Sequence, residues 1–219
     1  MKTLNKLDFI DLSILLPEIT EQNTLIAGVD EVGRGCLFGP VVAAVVVLPV
    51  CDIPRLIEIG VKDSKLLSIK KRTELFHKIS KIVLQYRIGY AKVQEIDQFN
   101  ILQASLLAML RSIKKLKHQP TICLVDGRQK IPNLSIPQHN IIKGDQRSPV
   151  IAAASIIAKV WRDDLILRWA KNYQEYDLAA NKGYGTQKHL DAIAQYGISS
   201  QHRLSFRPCQ IPSSLVTTY

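Results

Sequence analysis

Long apolar runs are missing from this sequence. The longest, VVAAVVVLPV at residues 41–50, is far shorter than the ~20 apolar residues that a membrane-spanning helix needs. The N-terminal residues MKTLNKLDFIDLSILLPEIT mix acids with apolar side chains and offer no small-residue cleavage site, so they do not predict a secretion signal. We therefore expect neither a membrane protein nor an exported one.

Cysteine is scarce, and the four cysteines lie far apart in the chain without a CxxC pair. This spacing argues against a structural zinc site and against a disulfide framework. Reduced, buried thiols are the simpler interpretation, and they are typical of a reducing compartment. We therefore expect a cytoplasmic protein with free cysteines.

Acidic residues are outnumbered by basic ones, 19 against 29, which gives a formal net charge of +10. A basic surface of this size favours a polyanionic partner, either nucleic acid or an acidic membrane face. Charge alone leaves open a basic protein with no such partner. The 47% share of hydrophobic residues is ample for a buried core, so the sequence predicts a folded domain.

The pattern of apolar residues predicts one domain over residues 1–219, with 1–23 as an N-terminal lead-in. No internal repeat, low-complexity tract or long linker interrupts it. We predict a mixed α/β sheet flanked by helices, because strands alternate with helices after an early antiparallel pair. The predicted strands are 24–30, 40–49, 82–93, 121–127 and 139–145. The predicted helices are 68–82 behind Ser68, 100–117, a helix from Pro149 to about Tyr173, and a last one within 182–197.

Three predicted strands end in acids, namely Asp30 with Glu31, Asp126 and Asp145. Functional groups of α/β sheets gather at strand ends, so we expect these four carboxylates to meet. Crowded together, they would raise one another's pKa unless cations neutralise them. Their formal charge matches two Mg²⁺ or Mn²⁺ ions, the arrangement of two-metal nucleases. For any one acid alone, a solvated turn residue or a helix cap is the simpler interpretation.

Glu31 poses a geometric problem, because adjacent strand residues point to opposite faces of a sheet. Asp30 and Glu31 cannot both reach one metal pair from an ideal strand. We therefore expect Glu31 where the strand ends, with Gly33 permitting the break just downstream.

A series of motifs runs from about residue 26 to 207: AGVDEVGRG, VKDSKLLS, NILQASLLAM, LVDG, KGDQRSPVIAAASIIAKVWRD and KGYGTQKHL with HRLSF, in this order. In these motifs the sequence closely resembles the bacterial ribonuclease HII family. The resemblance implies a ribonuclease H-like fold with a small C-terminal helical extension and tail at about 182–219. The implied activity is metal-dependent cleavage of RNA in RNA–DNA hybrids, and nicking 5′ to a ribonucleotide in duplex DNA, leaving 3′-hydroxyl and 5′-phosphate ends.

The resemblance also implies four metal-holding acids, of which Asp30, Glu31 and Asp126 are three. The fourth is Asp145, or else Asp163 or Asp164. Asp163 lies 14 residues beyond Pro149, roughly 20 Å along the predicted helix. Asp145 is level with the other acids and matches the family motif, so we choose Asp145 and expect Asp163 and Asp164 to form ion pairs or lie on the helix surface.

The substrate contacts follow from the resemblance as well. A glycine loop lets backbone groups approach the ribose 2′-hydroxyl, the group that distinguishes RNA from DNA. Tyr184 matches the family tyrosine that packs on the sugar at the RNA-to-DNA junction, although a half-buried loop aromatic is the simpler interpretation. Lys65, Asn100 and Gln103 match family positions expected to touch phosphate or the DNA backbone, although a capping asparagine or a solvated lysine would explain them equally well. The full implied set is Gly33, Arg34, Gly35, Tyr184, Lys65, Asn100 and Gln103.

Cys36 departs from the family pattern, which has proline after Gly-Arg-Gly. This predicts a looser turn or an exposed thiol, and removes no metal ligand. The short N-terminal region disfavours the sister ribonuclease HIII type, and we expect a monomer.

Two other functions compete. A non-catalytic nucleic-acid-binding protein would gain nothing from four acids at its contact face. A nuclease of resolvase type would have no need of the Gly-Arg-Gly loop and Tyr184. We assign no catalytic role to His189.

Overall fold

A computed structural model describes residues 23–61, 64 and 67–210. The predicted lead-in, except for residue 23, and the end of the predicted tail beyond residue 210 lie outside the described residues. Lys65 lies outside them too. The single-domain division therefore stays a prediction.

Five strands form one mixed sheet in the order β3-β2-β1-β4-β5. β1 is antiparallel to β2, and β2 to β3, whereas β1, β4 and β5 run parallel. The predicted antiparallel pair is thereby confirmed, and β1 lies in the middle of the sheet. The strands are β1 (Leu25–Val32), β2 (Val41–Pro49), β3 (Gln85–Ala91), β4 (Ile122–Asp126) and β5 (Gln138–Ile141).

Seven α-helices occur in the part of the chain that the structure describes, none of them long and apolar enough to cross a membrane. The predicted caps are confirmed: the side chains of Ser68 and Ser148 accept hydrogen bonds from the third residue beyond each. The helices are α1 (Ile53–Glu58), α2 (Ile69–Ile82), α3 (Val93–Ile113), α4 (Gly144–Arg147), α5 (Pro149–Trp169), α6 (Leu178–Asn181) and α7 (Gln187–Tyr196).

The sheet lies between two layers of helices. α3 packs against β2 and β3 on one face, and α5 packs against β1 and β2 on the other. β2 is buried from Val41 to Leu48, as its continuous apolar sequence predicts, because helices cover both of its faces. Besides the two apolar layers between the sheet and its helices, a further apolar cluster joins Leu37 and Phe38, just after β1, to Ile166 and the C-terminal helices. This cluster holds the C-terminal segment against the loop that follows β1.

Several predicted boundaries are wrong. β3 is shorter than the predicted 82–93. α3 begins at Val93, ends at Ile113 and is broken at Asn100, whose φ is 68°. The Asn100 side chain accepts hydrogen bonds from the backbone N–H of Leu102 and Gln103, so it caps the second part of the helix. α5 ends at Trp169. Asp145 does not end a strand but lies in the one-turn helix α4, because the chain turns at Lys143 (φ 56°) after β5.

Candidate metal and nucleic-acid site

Three carboxylates meet where the central parallel strands end. The register pairs Val29 of β1 with Val125 of β4, so the next residues, Asp30 and Asp126, are neighbours. Glu31 is the penultimate residue of β1, close to the predicted strand end. One ligand oxygen from each of the three acids lies within 4.8 Å of the other two. Asp30 and Glu31 thus reach one site from consecutive positions near the end of β1.

Asp145 lines the same cavity as these acids, although it is not in the 4.8 Å group. The cavity has a volume of about 320 Å³. Asp145 is buried, and its charge acts on Asp30. Asp163 pairs with Lys159 at 2.9 Å and Asp164 with Arg168 at 3.2 Å, which agrees with the ion-pairing role expected of them.

The acids hold surplus negative charge. Burial raises the pKa of Asp30 well above 3.8, and the charges of Glu31, Asp126 and Asp145 raise it further. Burial also raises the pKa of Glu31, although Arg34, 3.0 Å away, opposes this shift. Hard oxygen donors with too little positive charge around them suit divalent cations such as Mg²⁺ or Mn²⁺.

This charge predicts that Asp30→Asn stabilises the metal-free protein. Folding raises the pKa of Asp30, so the folded state binds a proton on this carboxyl more tightly than the unfolded state does. The contribution of Asp30 to stability is therefore lost as the pH rises through its folded-state pKa. At pH 7 with a chelator, the variant should unfold at a higher temperature than the wild type, and the gain should shrink as the pH falls. Asp164→Asn, an exposed acid, is the control. An unchanged midpoint for Asp30→Asn at pH 7 would contradict the prediction.

The loop Gly33-Arg34-Gly35 follows β1 directly and lines the cavity. Gly33 has a φ of 87°, which favours glycine. Arg203 holds the loop from its buried side. Its guanidinium donates to the carbonyls of Gly33 at 2.7 Å, Arg34 at 2.8 Å and Gly39 at 2.8 Å. The backbone carbonyls of the loop are therefore fixed by a residue 170 positions away in sequence.

A second guanidinium supports the same loop. Arg162 of α5 donates to the carbonyls of Phe38 and Lys182, each at 2.9 Å, and of Pro40 at 3.1 Å. A Cβ at Gly33 would overlap this guanidinium. Arg162 and Arg203 are fully buried. Burial lowers the pKa of Arg203 to about 10, so it remains charged at neutral pH.

Tyr184 lies beside this loop and lines the same cavity. The residue is 40% exposed, and the Lys159 ammonium lies 5.4 Å from the centroid of its ring. Tyr184 forms an isolated antiparallel bridge with Cys36. The structure therefore brings Tyr184 together with the Gly-Arg-Gly loop and the carboxylates.

The expectation for Cys36 is wrong. Its thiol is fully buried, 3.8 Å from the carbonyl oxygen of Lys182. Its backbone N–H donates to the carbonyl of Gly33 at 3.3 Å, a bond that proline could not make. Cys36 closes the turn instead of loosening it.

Asn100 and Gln103 lie on the exposed side of α3. A second depression of about 350 Å³ runs from Glu31, Arg34 and Asp126 to the neighbouring residues Leu102 and Ser105. It shares those first three residues with the carboxylate cavity. The two depressions thus form one cleft that leads from the acids toward α3. The substrate roles of Asn100, Gln103 and Lys65 stay predictions.

Sequence reasoning missed several groups around the cavity. Ser155 hydrogen-bonds to Asp30, and its hydroxyl lies 3.0 Å from that of Ser64. Ser155 and Lys159 are four residues apart and share one face of α5. Polar residues at this spacing inside the apolar run IAAASIIAK are the signal that could have identified these two. Arg162 and Arg203 had no such signal, because arginine is usually found on the surface.

Comparison with known proteins agrees with this geometry. The family model described as Ribonuclease HII matches residues 27–209. A curated Ribonuclease HII of a Nostoc species is 59% identical over 195 residues, which cover 89% of this chain and 87% of the relative. The Ribonuclease HII of Microcystis aeruginosa is 63% identical over 186 residues, covering 85% of this chain and 89% of the relative.

The fold agrees as well. The crystal structure of the ribonuclease H2 from Pyrococcus horikoshii has a TM-score of 0.73 to this chain at 29% identity, covering 85% of this chain and 96% of that one. The mixed five-stranded sheet with its helices is thus the ribonuclease H-like fold. The chain belongs to the ribonuclease HII family of ribonuclease H endonucleases.

Proposed function

We propose that the protein, an endonuclease that cuts RNA in RNA–DNA hybrids, also nicks duplex DNA on the 5′ side of an embedded ribonucleotide and leaves 3′-hydroxyl and 5′-phosphate ends. Family membership supports the hybrid activity. One observation supports the proposed nicking at a single ribonucleotide. A single cavity is lined both by the carboxylates and by groups suited to sensing a ribose, the Gly-Arg-Gly loop and Tyr184.

Asp30, Glu31, Asp126 and Asp145 would hold two Mg²⁺ or Mn²⁺ ions. The fit rests on the donor chemistry, on the three oxygens within 4.8 Å, and on Asp30, whose pKa is raised by burial and by the neighbouring carboxylate charges. Ions bound there would supply Lewis-acid stabilisation of the charge that develops on the attacking and leaving oxygens of the phosphodiester. The protein's own task is to hold the scissile phosphate against these acids.

The Gly-Arg-Gly loop is suited to that task. Gly35 is exposed, and a Cβ added to it would meet no atom within 4 Å, so packing within the protein does not require glycine there. Empty space beside an exposed backbone lets a sugar approach closely, and the 2′-hydroxyl can then exchange hydrogen bonds with main-chain groups. The exposed guanidinium of Arg34 can pair with a phosphate, the role in which arginine is most effective.

Tyr184 would contact the next sugar in the strand. The Lys159 ammonium lies over the ring, and the exposed part of the ring remains available to a substrate. A deoxyribose presents an apolar C2′ where a ribose presents a hydroxyl, so an aromatic ring packs better on the DNA side of the junction. We place the opposite DNA strand along the cleft toward Asn100 and Gln103, and a phosphate near Lys65.

A duplex containing one ribonucleotide tests the proposal. With Mg²⁺ or Mn²⁺ present, we expect a single nick on the 5′ side of the ribonucleotide, with product ends identified by ligation and by phosphatase treatment. The matched all-DNA duplex should remain intact, because it lacks the 2′-hydroxyl. If the protein degrades a long hybrid but makes no nick at the single ribonucleotide, the proposed nicking activity is wrong and the hybrid activity stands.

A further inference from the structure

Two buried histidines connect the C-terminal segment to Tyr184. His189 lies on α7, and His202 lies beyond it in the segment that pairs with Phe38. The Nε2 atoms of the two rings are 3.1 Å apart. His189 Nδ1 lies 2.9 Å from the carbonyl oxygen of Tyr184, and both rings are at most 1% exposed.

One arrangement of protons satisfies this chain. The backbone N–H of Ser199 donates to His202 Nδ1 at 2.9 Å, and the Ser199 hydroxyl lies 2.9 Å from the same atom. A neutral His202 therefore carries its proton on Nε2 and donates to His189, which in turn carries its proton on Nδ1 and donates to Tyr184. Burial lowers the pKa of His202 to about 4 and also lowers that of His189, so both rings are neutral at pH 7.

Arg203, the residue after His202, is hydrogen-bonded to the Gly-Arg-Gly loop. Arg203 donates to the carbonyls of Gly33 and Arg34, as described above. Two consecutive residues thus reach the two elements proposed to sense the sugar, one through His189 and one directly. The Tyr184 carbonyl also accepts from the Thr186 N–H at 2.9 Å within its own turn. The histidine chain ties this turn to the C-terminal segment.

We infer that His189 and His202 are positioning residues that hold Tyr184 in register with the Gly-Arg-Gly loop and thereby set the preference for an RNA-to-DNA junction over a uniform hybrid. The inference rests on the role given to Tyr184 under Proposed function. Neither histidine touches the substrate. Their effect passes through the backbone of Tyr184, so it changes where the ring lies and leaves the carboxylates untouched.

The test compares two changes at His189. His189→Leu removes the donor to Tyr184, whereas His189→Asn keeps an amide donor close to the place of Nδ1. The measured quantity is the ratio of kcat/KM on a duplex with one ribonucleotide to kcat/KM on a uniform RNA–DNA hybrid. This ratio does not depend on the fraction of folded enzyme. Loss of one hydrogen bond should lower it about fivefold for His189→Leu, and His189→Asn should restore most of it.

A second variant interrupts the same hydrogen-bond chain at another residue, so that the test does not depend on how His189→Leu folds. His202→Asn keeps an acceptor for the Ser199 N–H and breaks the link to His189, so it should lower the ratio as His189→Leu does. It also removes the ring contacts with Phe38 and Tyr176, a loss of stability to which the ratio is insensitive. Tyr184→Ala is the reference. The inference is overturned if Tyr184→Ala lowers the ratio but the histidine variants leave it unchanged, whether they reduce both activities in parallel or reduce neither activity. If Tyr184→Ala leaves the ratio unchanged, both the junction role of Tyr184 and the inference fail, whereas the nick itself stands.

Discussion

Asp126→Asn lowers cleavage of a single-ribonucleotide duplex at least about 10²-fold, the order of loss seen when one preorganised electrostatic group is removed from an active site. The reason is the loss of a charged oxygen from the group of three within 4.8 Å. Asparagine retains the oxygen that accepts the Gly144 N–H at 2.6 Å, so the fold should persist. Hybrid binding should be equal or tighter, because one negative charge facing the phosphates is gone.

The measurement is kcat/KM under saturating Mg²⁺, with the binding constant and the unfolding midpoint taken on the same preparation. Asp164→Asn is the matched control, since Asp164 is an exposed acid paired with Arg168 on α5. It should retain wild-type turnover. Undiminished turnover in Asp126→Asn would remove Asp126 from the proposed metal site, whereas lost binding would point to a damaged cleft.

Arg162→Met lowers the free energy of unfolding by about 3 kcal/mol, because it leaves three backbone carbonyls without their donor at roughly 1 kcal/mol or more each. Those carbonyls belong to Phe38, Pro40 and Lys182. Methionine fills part of the volume but donates nothing. The guanidinium also packs against Gly33, so the substrate loop should loosen together with the global fold.

Denaturant unfolding provides the measurement, with Arg168→Met as the control on the same helix. The pair between Arg168 and Asp164 is exposed, and such pairs contribute only about 0–1 kcal/mol. Equal unfolding free energies for the two variants would show that the carbonyls around Arg162 find other donors.

The meeting of the acids could be predicted from the sequence, for a physical reason. Strands that end together place their terminal residues together, so Asp30 and Asp126 follow from the ends of two apolar runs and from the motif around them. Helix starts at Ser68 and Ser148 follow from local capping chemistry. Such features depend on a few neighbouring residues, and the sequence displays them directly.

Arg162 and Arg203 depend on contacts between distant segments. They look like surface residues in the sequence, and only the folded chain shows that backbone carbonyls surround them. Two other differences are local. Asn100 caps its own downstream turn, an interpretation that the sequence left open, but the helical turns before it were not predicted. The helical position of Asp145 depends on a left-handed residue, Lys143, for which glycine or asparagine is the usual choice.

The reach of Arg203 has a consequence for the order in which the protein matures during synthesis. Its bonds to Gly33 and Arg34 span 170 and 169 residues. A growing chain emerges from its N-terminal end, so the strands that bear Asp30 and Asp126 are available long before Arg203 has been translated. The carboxylates can therefore gather on the nascent chain while the Gly-Arg-Gly loop still lacks its support. The recognition of a ribonucleotide that we propose for this loop would then arise only after residue 203 has left the ribosome.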